Sequence, residues 1–276
     1  MLKKIVKKAV FGSIDSILNT TFGGFITERC IASFNNKYQD ISYGGTELKF
    51  YSPNRINKFR IQTFATKEPE TLDWIDSFDD KSVFWDIGAN VGIYSIYAAK
   101  KKSCNVVAFE PSVFNLEALA RNIFINGQSD TVSIFPLPLF NTTGAELFRM
   151  TSTEWGGAIS SFGTDKGFDG SPVDTIFQYS IFGTTLDEAA EFFLLPAPDH
   201  VKIDVDGVEH YILEGGMNFL RHAKSILIEI NDDYREQATM SRKILELHGF
   251  KQVGKEQSYL VENTEFSNSY NQIWEK

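Results

Sequence analysis

Apolar runs alternate with stretches whose apolar residues recur at helical spacing through most of the chain after residue 80. Short apolar runs are typical of buried parallel strands, and the stretches between them are typical of amphipathic helices. Because strands that alternate with helices form right-handed crossovers, the pattern predicts an α/β fold with helices on both faces of a mostly parallel sheet. The predicted strands are Val83–Ile87, Asn105–Glu110, Thr131–Pro136, His200–Val205 and Ser225–Ile230.

Helix signals lie around and between these strands. Ser112 is placed to cap one helix, and Pro69 lies in the first turn of another. The tail carries short predicted strands near Lys251–Val253, Tyr259–Glu262 and Gln272–Trp274 without an intervening helix, which predicts an antiparallel edge. The predicted helices are Glu68–Phe78, Ile93–Lys100, the stretch from Ser112 to near Gly127, Leu186–Leu194, Glu209–Leu220 and Tyr234–His248.

The chain before the alternation has a different pattern. Residues 1–65 are predicted to form an N-terminal extension, which begins with a helix near 2–18. Short strands at Asp40–Tyr43 and Glu47–Tyr51 flank a Gly-Gly pair, which is a hairpin signal. The main domain is predicted to be residues 66–276.

The domain is interrupted at about 140–184. Alternating pieces such as Glu146–Met150 and Thr175–Ser180 predict an antiparallel insertion, with a mobile Gly/Ser-rich loop at Thr151–Ser171. Trp155 and Phe162 both lie in this loop, and their rings have two interpretations. Their rings close over a site and stack on a sugar, or they pin the loop by packing against its surroundings.

Composition limits the function classes. The chain has 276 residues, 42% hydrophobic and 23% charged, which is ordinary for a globular protein. A formal net charge of −9 argues against non-specific electrostatic binding of nucleic acid. Cys30 and Cys104 lack metal-ligand spacing and predict a reducing compartment, the cytoplasm.

The first ten residues carry Lys3, Lys4, Lys7 and Lys8 between apolar residues. No apolar run approaches the roughly 20 residues that would cross a bilayer. One interpretation is an amphipathic helix that rests on an anionic membrane surface. The favoured alternative is a terminal helix whose lysines are solvated.

The richest motif is the turn after the first core strand, Asp86-Ile-Gly-Ala-Asn-Val-Gly92. A strand, a glycine turn and a helix place backbone N–H groups beside a crevice that suits an adenosine-containing cofactor. The G-x-G-x-x-G pattern of dinucleotide sites is missing, and Asp86 would repel a diphosphate. An acid there suits the cationic amino group of S-adenosylmethionine.

Acids also end the later strands. Glu110 ends the second strand, where it can accept both ribose hydroxyls of an adenosine. Asp204, Asp206 and Glu209 lie at the carboxyl end of the fourth strand and the start of its helix, and Glu229 lies near the end of the fifth strand, so they are expected near the reacting atoms. Asp206 or Gly207 is a candidate N-cap, which would make Glu209 partly a capping residue. Asp204, Asp206 and Glu229 could form a divalent-metal site, but a plain carboxylate rim without metal is favoured.

Together these motifs resemble the FkbM family of S-adenosylmethionine-dependent methyltransferases, over roughly Glu68 to Glu229. The resemblance rests on the Asp86 turn, Phe-Glu-Pro with Asn115, Thr-Leu-Asp at 185–187, the Lys202–Glu209 run and Ile-Glu-Ile at 228–230. It implies a Rossmann-like class I methyltransferase fold, with a seven-stranded sheet whose last strand is antiparallel.

The resemblance also implies roles for individual residues. Asp86, Gly88, Asn90 and Gly92 would lie at the methionine end of the cofactor, and Glu110 at its ribose. The remaining residues implied in cofactor binding are Ala89, Pro111, Asn115, Leu139 and Asp204. The sequence departs from the family pattern in two places. Asp206 stands where Glu is common, and Leu139-Phe140-Asn141 replaces a loop that usually carries Asp near the adenine.

The predicted activity is O-methylation of a hydroxyl on a sugar, a glycan or a sugar-containing metabolite. Asp204 is the first candidate for the group that orients the hydroxyl and takes its proton, and Glu229 is the second. The expected cofactor is S-adenosylmethionine, and the expected partner is a small-molecule or glycan acceptor rather than nucleic acid. A nicotinamide-dependent oxidoreductase and a catalytically silent binding module are the alternatives.

Overall fold

A computed structural model describes residue 11 and residues 14–276 of the chain. The strands are β1 (Tyr38–Tyr43), β2 (Thr46–Tyr51), β3 (Val83–Ile87), β4 (Asn105–Phe109), β5 (Val132–Phe135), β6 (Gly144–Met150), β7 (Ser160–Phe162), β8 (Phe177–Gly183), β9 (His200–Ile203), β10 (Ser225–Asn231), β11 (Lys251–Glu256) and β12 (Ser269–Glu275). The α-helices whose two ends both lie within the described residues are α1 (Thr21–Asn35), α2 (Arg55–Gln62), α3 (Phe64–Lys67), α4 (Pro69–Asp76), α5 (Ile93–Lys102), α6 (Val113–Ile125), α7 (Leu186–Phe192), α8 (Glu209–Glu214) and α9 (Arg235–Leu247).

A seven-stranded sheet organises the molecule, in the order β11-β12-β10-β9-β3-β4-β5. Strands β3, β4, β5, β9 and β10 pair in parallel, whereas β12 is antiparallel to both β10 and β11. This confirms the predicted fold class, including the antiparallel last strand. The carboxyl ends of the parallel strands therefore meet along one edge of the sheet, where such folds bind their ligands.

Both faces of the sheet are covered by other elements. Consecutive strand residues point to opposite sides, so each strand contributes side chains to both faces. Phe84 and Trp85 of β3 are both fully buried, one on each face. The Phe84 side packs with β2, α4 and α5, and the Trp85 side packs with the insertion, α8 and α9. Near-continuous apolar strands such as β3 are the pattern expected of a parallel sheet covered on both sides.

The N-terminal hairpin of β1 and β2 confirms the predicted Gly44-Gly45 turn. Leu48 and Phe50 of β2 are buried in the same cluster as Phe84, so the hairpin shares a core with the sheet. Helices α1, α2 and α3 were not predicted. The predicted helix near 2–18 lies outside the described residues, except for residue 11 and residues 14–18, which are helical.

The insertion confirms the predicted antiparallel arrangement. Strands β7, β6 and β8 form a three-stranded sheet in that order. Two other predictions were wrong: Tyr259–Val261 is a 3-10 turn rather than a strand, and the predicted helix Glu209–Leu220 ends at Glu214, before a second 3-10 turn at Phe219–Arg221. Among the described helices, none combines the length and apolar character needed to span a bilayer.

Candidate active site

The glycine turn after β3 brings three strand ends together. Gly88 has a left-handed backbone (φ +84°), and a Cβ added there would lie 1.9 Å from the Asp204 carbonyl oxygen. The N–H groups of Gly88 and Ala89 both donate to the Phe109 carbonyl at 3.0 Å. A glycine is required at position 88 because both the backbone angle and the close approach exclude a side chain.

Asp86 is buried beneath this turn. Its carboxylate accepts a hydrogen bond from the Ser95 hydroxyl at 2.5 Å. Burial raises the pKa of Asp86, and Lys202 and Ser95 oppose that rise. A buried carboxyl group whose hydrogen bond comes from a neutral hydroxyl is suited to a cationic partner.

Glu110 lies beside the turn and is held by backbone donors. Its carboxylate accepts the N–H groups of Asn90 and Ser112, each at 2.8 Å. Burial raises the pKa of Glu110 to about 7, although these hydrogen bonds favour the charged form. Two carboxylate oxygens offer about four acceptor directions, so capacity for further donors remains.

Asn90 and Asn115 connect this region to the insertion. The side-chain amides of Asn90 and Asn115 donate to the Gly157 carbonyl at 2.9 and 3.1 Å, and the Asn115 carbonyl oxygen accepts the Gly156 N–H at 2.9 Å. We call residues 154–160 the strap. Both asparagines therefore hold the strap against the turn instead of standing free in a crevice.

The three carboxyl groups predicted from β9 and β10 do converge. One oxygen from each of Asp204, Asp206 and Glu229 lies within 4.8 Å of the others, a donor set of the type that divalent cations bind. Burial raises the pKa of Asp206 to about 6. Burial, followed by repulsion from Asp204 and Asp206, raises the pKa of Glu229 well above its usual range. The cluster therefore favours a proton or a cation between these groups.

Lys202 neutralises part of this cluster. Its ammonium lies 2.6 Å from Asp204 Oδ2, although the lysine side chain is only 2% exposed. Burial alone would lower the pKa of Lys202, but Asp204, Glu68 and Asp86 around it raise the pKa above its usual value. Lys202 is therefore a fixed positive charge under the strand ends, which the sequence analysis did not assign.

Glu209 organises the loop after β9. Its buried carboxylate accepts the Gly207 and Val205 N–H groups at 3.0–3.1 Å and the Gln237 amide at 2.5 Å. The N-cap of α8 is Val208, so the predicted caps Asp206 and Gly207 were wrong. Burial raises the pKa of Glu209 to about 7.

Two pockets meet at the turn and share Gly88, Asn90 and Asp204. Pocket A combines the acids Glu110 and Asp206 with an apolar end. That apolar end is lined by Leu137, Leu139, Phe148, Phe162, Val205 and Val208. Pocket A is therefore polar on the sheet side and apolar where the insertion covers it.

Pocket B has the opposite character, because charged groups dominate its lining. It is lined by Arg60, Lys67, Glu68, Asp86, Lys202 and Asp204, together with the turn residues 88–91. Lys67 pairs with Glu68, which also accepts the Tyr94 hydroxyl at 2.9 Å. Burial opposes ionisation of Glu68, but Lys67 and Lys202 outweigh it and hold the pKa at about 2.

The other predicted residues fall in different places. Pro111 and Leu139 line pocket A, and Ala89 lines pocket B. Gly92 lines neither pocket: it begins α5 with a left-handed backbone, and a Cβ there would lie 2.4 Å from Leu119. Glu229 reaches the cluster with Asp204 without lining either pocket.

The aromatic residues of the insertion pin the strap. The Trp155 ring packs near Phe34 and Tyr51, and its indole N–H donates to Glu117 at 3.0 Å. Phe162 is 3% exposed and packs against Phe140. These contacts agree with the pinned-loop interpretation; Phe162 nonetheless contributes its ring to the apolar end of pocket A.

Sequence reasoning missed Arg60, Lys67 and Glu68 as residues of the site. Asn54 and Asn57 offered a signal, because Asn54 is the N-cap of α2 and accepts the Asn57 N–H at 2.9 Å. A helix start at that cap would have placed Arg60 one turn and a half along the same helix.

The sheet order defines a Rossmann-like fold, and its pockets lie at the carboxyl ends of the strands, where such folds bind their ligands. Residues 86–258 match the Methyltransferase FkbM domain, and the chain therefore belongs to the FkbM methyltransferase family. This membership confirms the family resemblance that the motifs predicted.

Similar proteins share only part of their length with this chain. Hexuronic acid methyltransferase AglP of Haloferax volcanii is 28% identical over 173 residues, which are 63% of this chain and 66% of AglP. The solved methyltransferase FkbM of Methylobacillus flagellatus KT has 15% identity and a TM-score of 0.48, covering 72% of this chain and 44% of its own. TYW2 of M. jannaschii, solved in complex with AdoMet, has 13% identity and a TM-score of 0.45, covering 87% of this chain and 86% of its own. The alignment with AglP thus falls just short of two thirds of that relative.

Proposed function

We propose that the chain O-methylates a sugar hydroxyl, with S-adenosylmethionine lying across pockets A and B. The observation that carries this proposal is the pair of pockets that meet at Gly88. Pocket A offers an apolar end for a purine and the Glu110 carboxylate for a ribose diol. Pocket B offers Asp86 and several fixed charges for an amino-acid end. The residues present therefore fit this cofactor along its whole length.

When bound, the cofactor supplies an activated methyl group. The chain itself must align the acceptor hydroxyl with that group and exclude water. The strap contributes Gly157 and Ala158 to the lining of pocket A, which supports a role for it in limiting access of water. Asp204 borders both pockets, so it lies where the two ends of the cofactor would join.

Asp204 and Glu229 are the proposed groups that orient the hydroxyl and accept its proton. Among the described residues, none donates a hydrogen bond to the Glu229 carboxyl group, and burial raises its pKa, which makes the carboxylate a stronger base. Asp204 is held in place by Lys202 at 2.6 Å. We favour this carboxylate pair acting without a metal ion.

The proposed acceptor is a sugar hydroxyl, within a glycan or a sugar-containing metabolite. Support comes from the relative AglP, which is named a hexuronic acid methyltransferase. Family membership also makes methyl transfer the leading activity over the alternatives of hydride transfer and silent binding.

The test is a transfer assay with labelled S-adenosylmethionine against sugars, uronic acids, nucleotide sugars and glycans. We expect transfer to a sugar hydroxyl, and Asp204→Asn or Glu229→Gln should lower kcat by roughly 10²–10⁴-fold. Glu229→Gln should keep its affinity for S-adenosylhomocysteine, and the exposed Glu146→Gln should behave as wild type.

Three outcomes would contradict the proposal. Transfer to nitrogen or carbon acceptors alone would exclude O-methylation. Full turnover by both variants would remove the proton-acceptor assignment. Loss of wild-type turnover after exhaustive chelation, restored by Mg²⁺, would replace the metal-free cluster of Asp204, Asp206 and Glu229 with a metal site.

A further inference from the structure

Arg60 differs from the other cations that line pocket B. Lys202 is paired with Asp204, and Lys67 is paired with Glu68. The Arg60 guanidinium instead donates from Nε and Nη2 to the Gly156 carbonyl, at 3.1 and 2.8 Å. Within the described part of the chain, its hydrogen-bond partner is therefore neutral.

The guanidinium keeps donors that the strap does not use. An arginine has five N–H donors in a planar fork, and the single Gly156 oxygen engages two of its nitrogens. The carbonyl also fixes the plane of the group, which reduces the entropy lost when a ligand binds. A carboxylate is the ligand whose two oxygens match such a fork.

The anionic side of the pocket has a corresponding feature. Asp86 is 1% exposed, and its hydrogen bond comes from the neutral Ser95 hydroxyl. Pocket B therefore contains one carboxyl group and one guanidinium whose direct hydrogen-bond partners are uncharged. An α-amino acid carries one ammonium and one carboxylate, so its charges complement this pair.

We propose that Arg60 of the N-terminal extension binds a carboxylate in pocket B, and that this carboxylate belongs to the methionine end of the cofactor. The proposal rests on the proposed function. Arg60 lies outside the residues that match the family, 86–258, so the extension would complete a cofactor site that the family domain leaves open. A carboxylate on an acidic acceptor sugar is the second source of the same chemistry, because Arg60 also lies close enough to Asp206 to influence its pKa.

The experiment compares two ligands by calorimetry. S-adenosylhomocysteine carries the amino-acid end, whereas 5′-methylthioadenosine lacks it. We expect Arg60→Gln to lower the affinity for S-adenosylhomocysteine about 10–100-fold, which is the range for a charge-assisted hydrogen bond. The affinity for methylthioadenosine should change less than about threefold. The introduced glutamine amide can still donate to the Gly156 carbonyl, so the strap keeps its anchor. Lys58→Gln, an exposed lysine on the same helix, should change neither affinity.

Each other result decides a separate question. An equal loss of affinity for both ligands would overturn the proposal, because Arg60 would then act only by holding the strap. Unchanged ligand affinity, with a raised KM for an acidic sugar but not for its methyl ester, would assign the carboxylate to the acceptor. Unchanged affinity and unchanged KM would overturn the proposal. Failure of the wild-type protein to bind S-adenosylhomocysteine would instead contradict the proposed function.

Discussion

Glu110 is an acid whose ionisation should control affinity for the cofactor. Its pKa is raised to about 7 by burial, and ribose hydroxyls would donate to its charged form. Ligand binding should therefore be strongest above pH 7 and weaken as the carboxyl group protonates below it. For one group with a pKa near 7, the affinity for S-adenosylhomocysteine should fall about tenfold from pH 8 to pH 6.

The control for this prediction is Glu110→Gln, which preserves shape but carries no charge at any pH. It should bind more weakly at pH 8 and lose most of the pH dependence. If the affinity of Glu110→Gln for S-adenosylhomocysteine still fell about tenfold from pH 8 to pH 6, the titrating group would be Asp206 or Glu209, whose pKa values are also raised by burial.

Which residues the sequence could predict depends on where their neighbours come from. The placement of Asp86 and Glu110 beside the pockets was predictable, because both lie at the carboxyl ends of paired parallel strands and such ends meet at one edge of the sheet. The position of Arg60 was not predictable, since Arg60 reaches pocket B only because α2 packs against the domain, and sequence periodicity does not determine where a helix packs. Lys202 lies in the predicted strand, but only its partners explain why a buried lysine is tolerated there.

Helices and strands were predictable where nearby residues determine them, and not where contacts between distant parts of the chain do. Helix α6 was predictable because Ser112 caps it through the Asn115 N–H and its apolar spacing is regular. The 3-10 turn at Tyr259–Val261 was mistaken for a strand because its short apolar run has no period long enough to separate the two. The packing of α2 against the strap depends on polar contacts about a hundred residues apart in sequence.

The contacts between α2 and the strap yield a prediction at this scale. Asn54 and Asn57 donate to the Trp155 carbonyl at 2.9 and 2.7 Å, and Asn57 is 1% exposed. Asn57→Ala removes one of these donors, and should lower the free energy of unfolding by about 1–2 kcal/mol. Because the strap is then held less firmly, chymotrypsin should cut more rapidly after Trp155.

Gln62→Ala is the matched control, because Gln62 is exposed on the same helix. It should leave both the melting temperature and the cleavage rate unchanged. Saturating S-adenosylhomocysteine should slow cleavage in the wild type, since the strap lines pocket A through Gly157. Cleavage that is equally fast in the wild type and in Asn57→Ala would show that α2 does not anchor the strap.

At the scale of the whole molecule, the buried acids of the site reduce stability near neutral pH. Glu110 and Glu209 have pKa values of about 7 and Asp206 of about 6, each raised by burial above an unfolded value near 4. The folded chain therefore binds these protons first as the pH falls. Each group should add on the order of 1–3 kcal/mol to the unfolding free energy as the pH drops through its folded pKa.

His200 acts in the opposite direction over a lower pH range. Burial lowers its pKa to about 4, from an unfolded value near 6.5, so its contribution to stability is lost as the pH falls between these values. Burial also lowers the pKa of His210, so it acts in the same direction as His200. The three acids outweigh these two histidines between pH 8 and pH 6. The melting temperature of the ligand-free protein should therefore rise on acidification from pH 8 to pH 6, and Glu110→Gln should reduce that rise. Saturating S-adenosylhomocysteine should also reduce it, because the bound ligand requires the Glu110 carboxylate. A melting temperature that falls steadily from pH 8 to pH 6 would show that these acids are ionised in the folded protein.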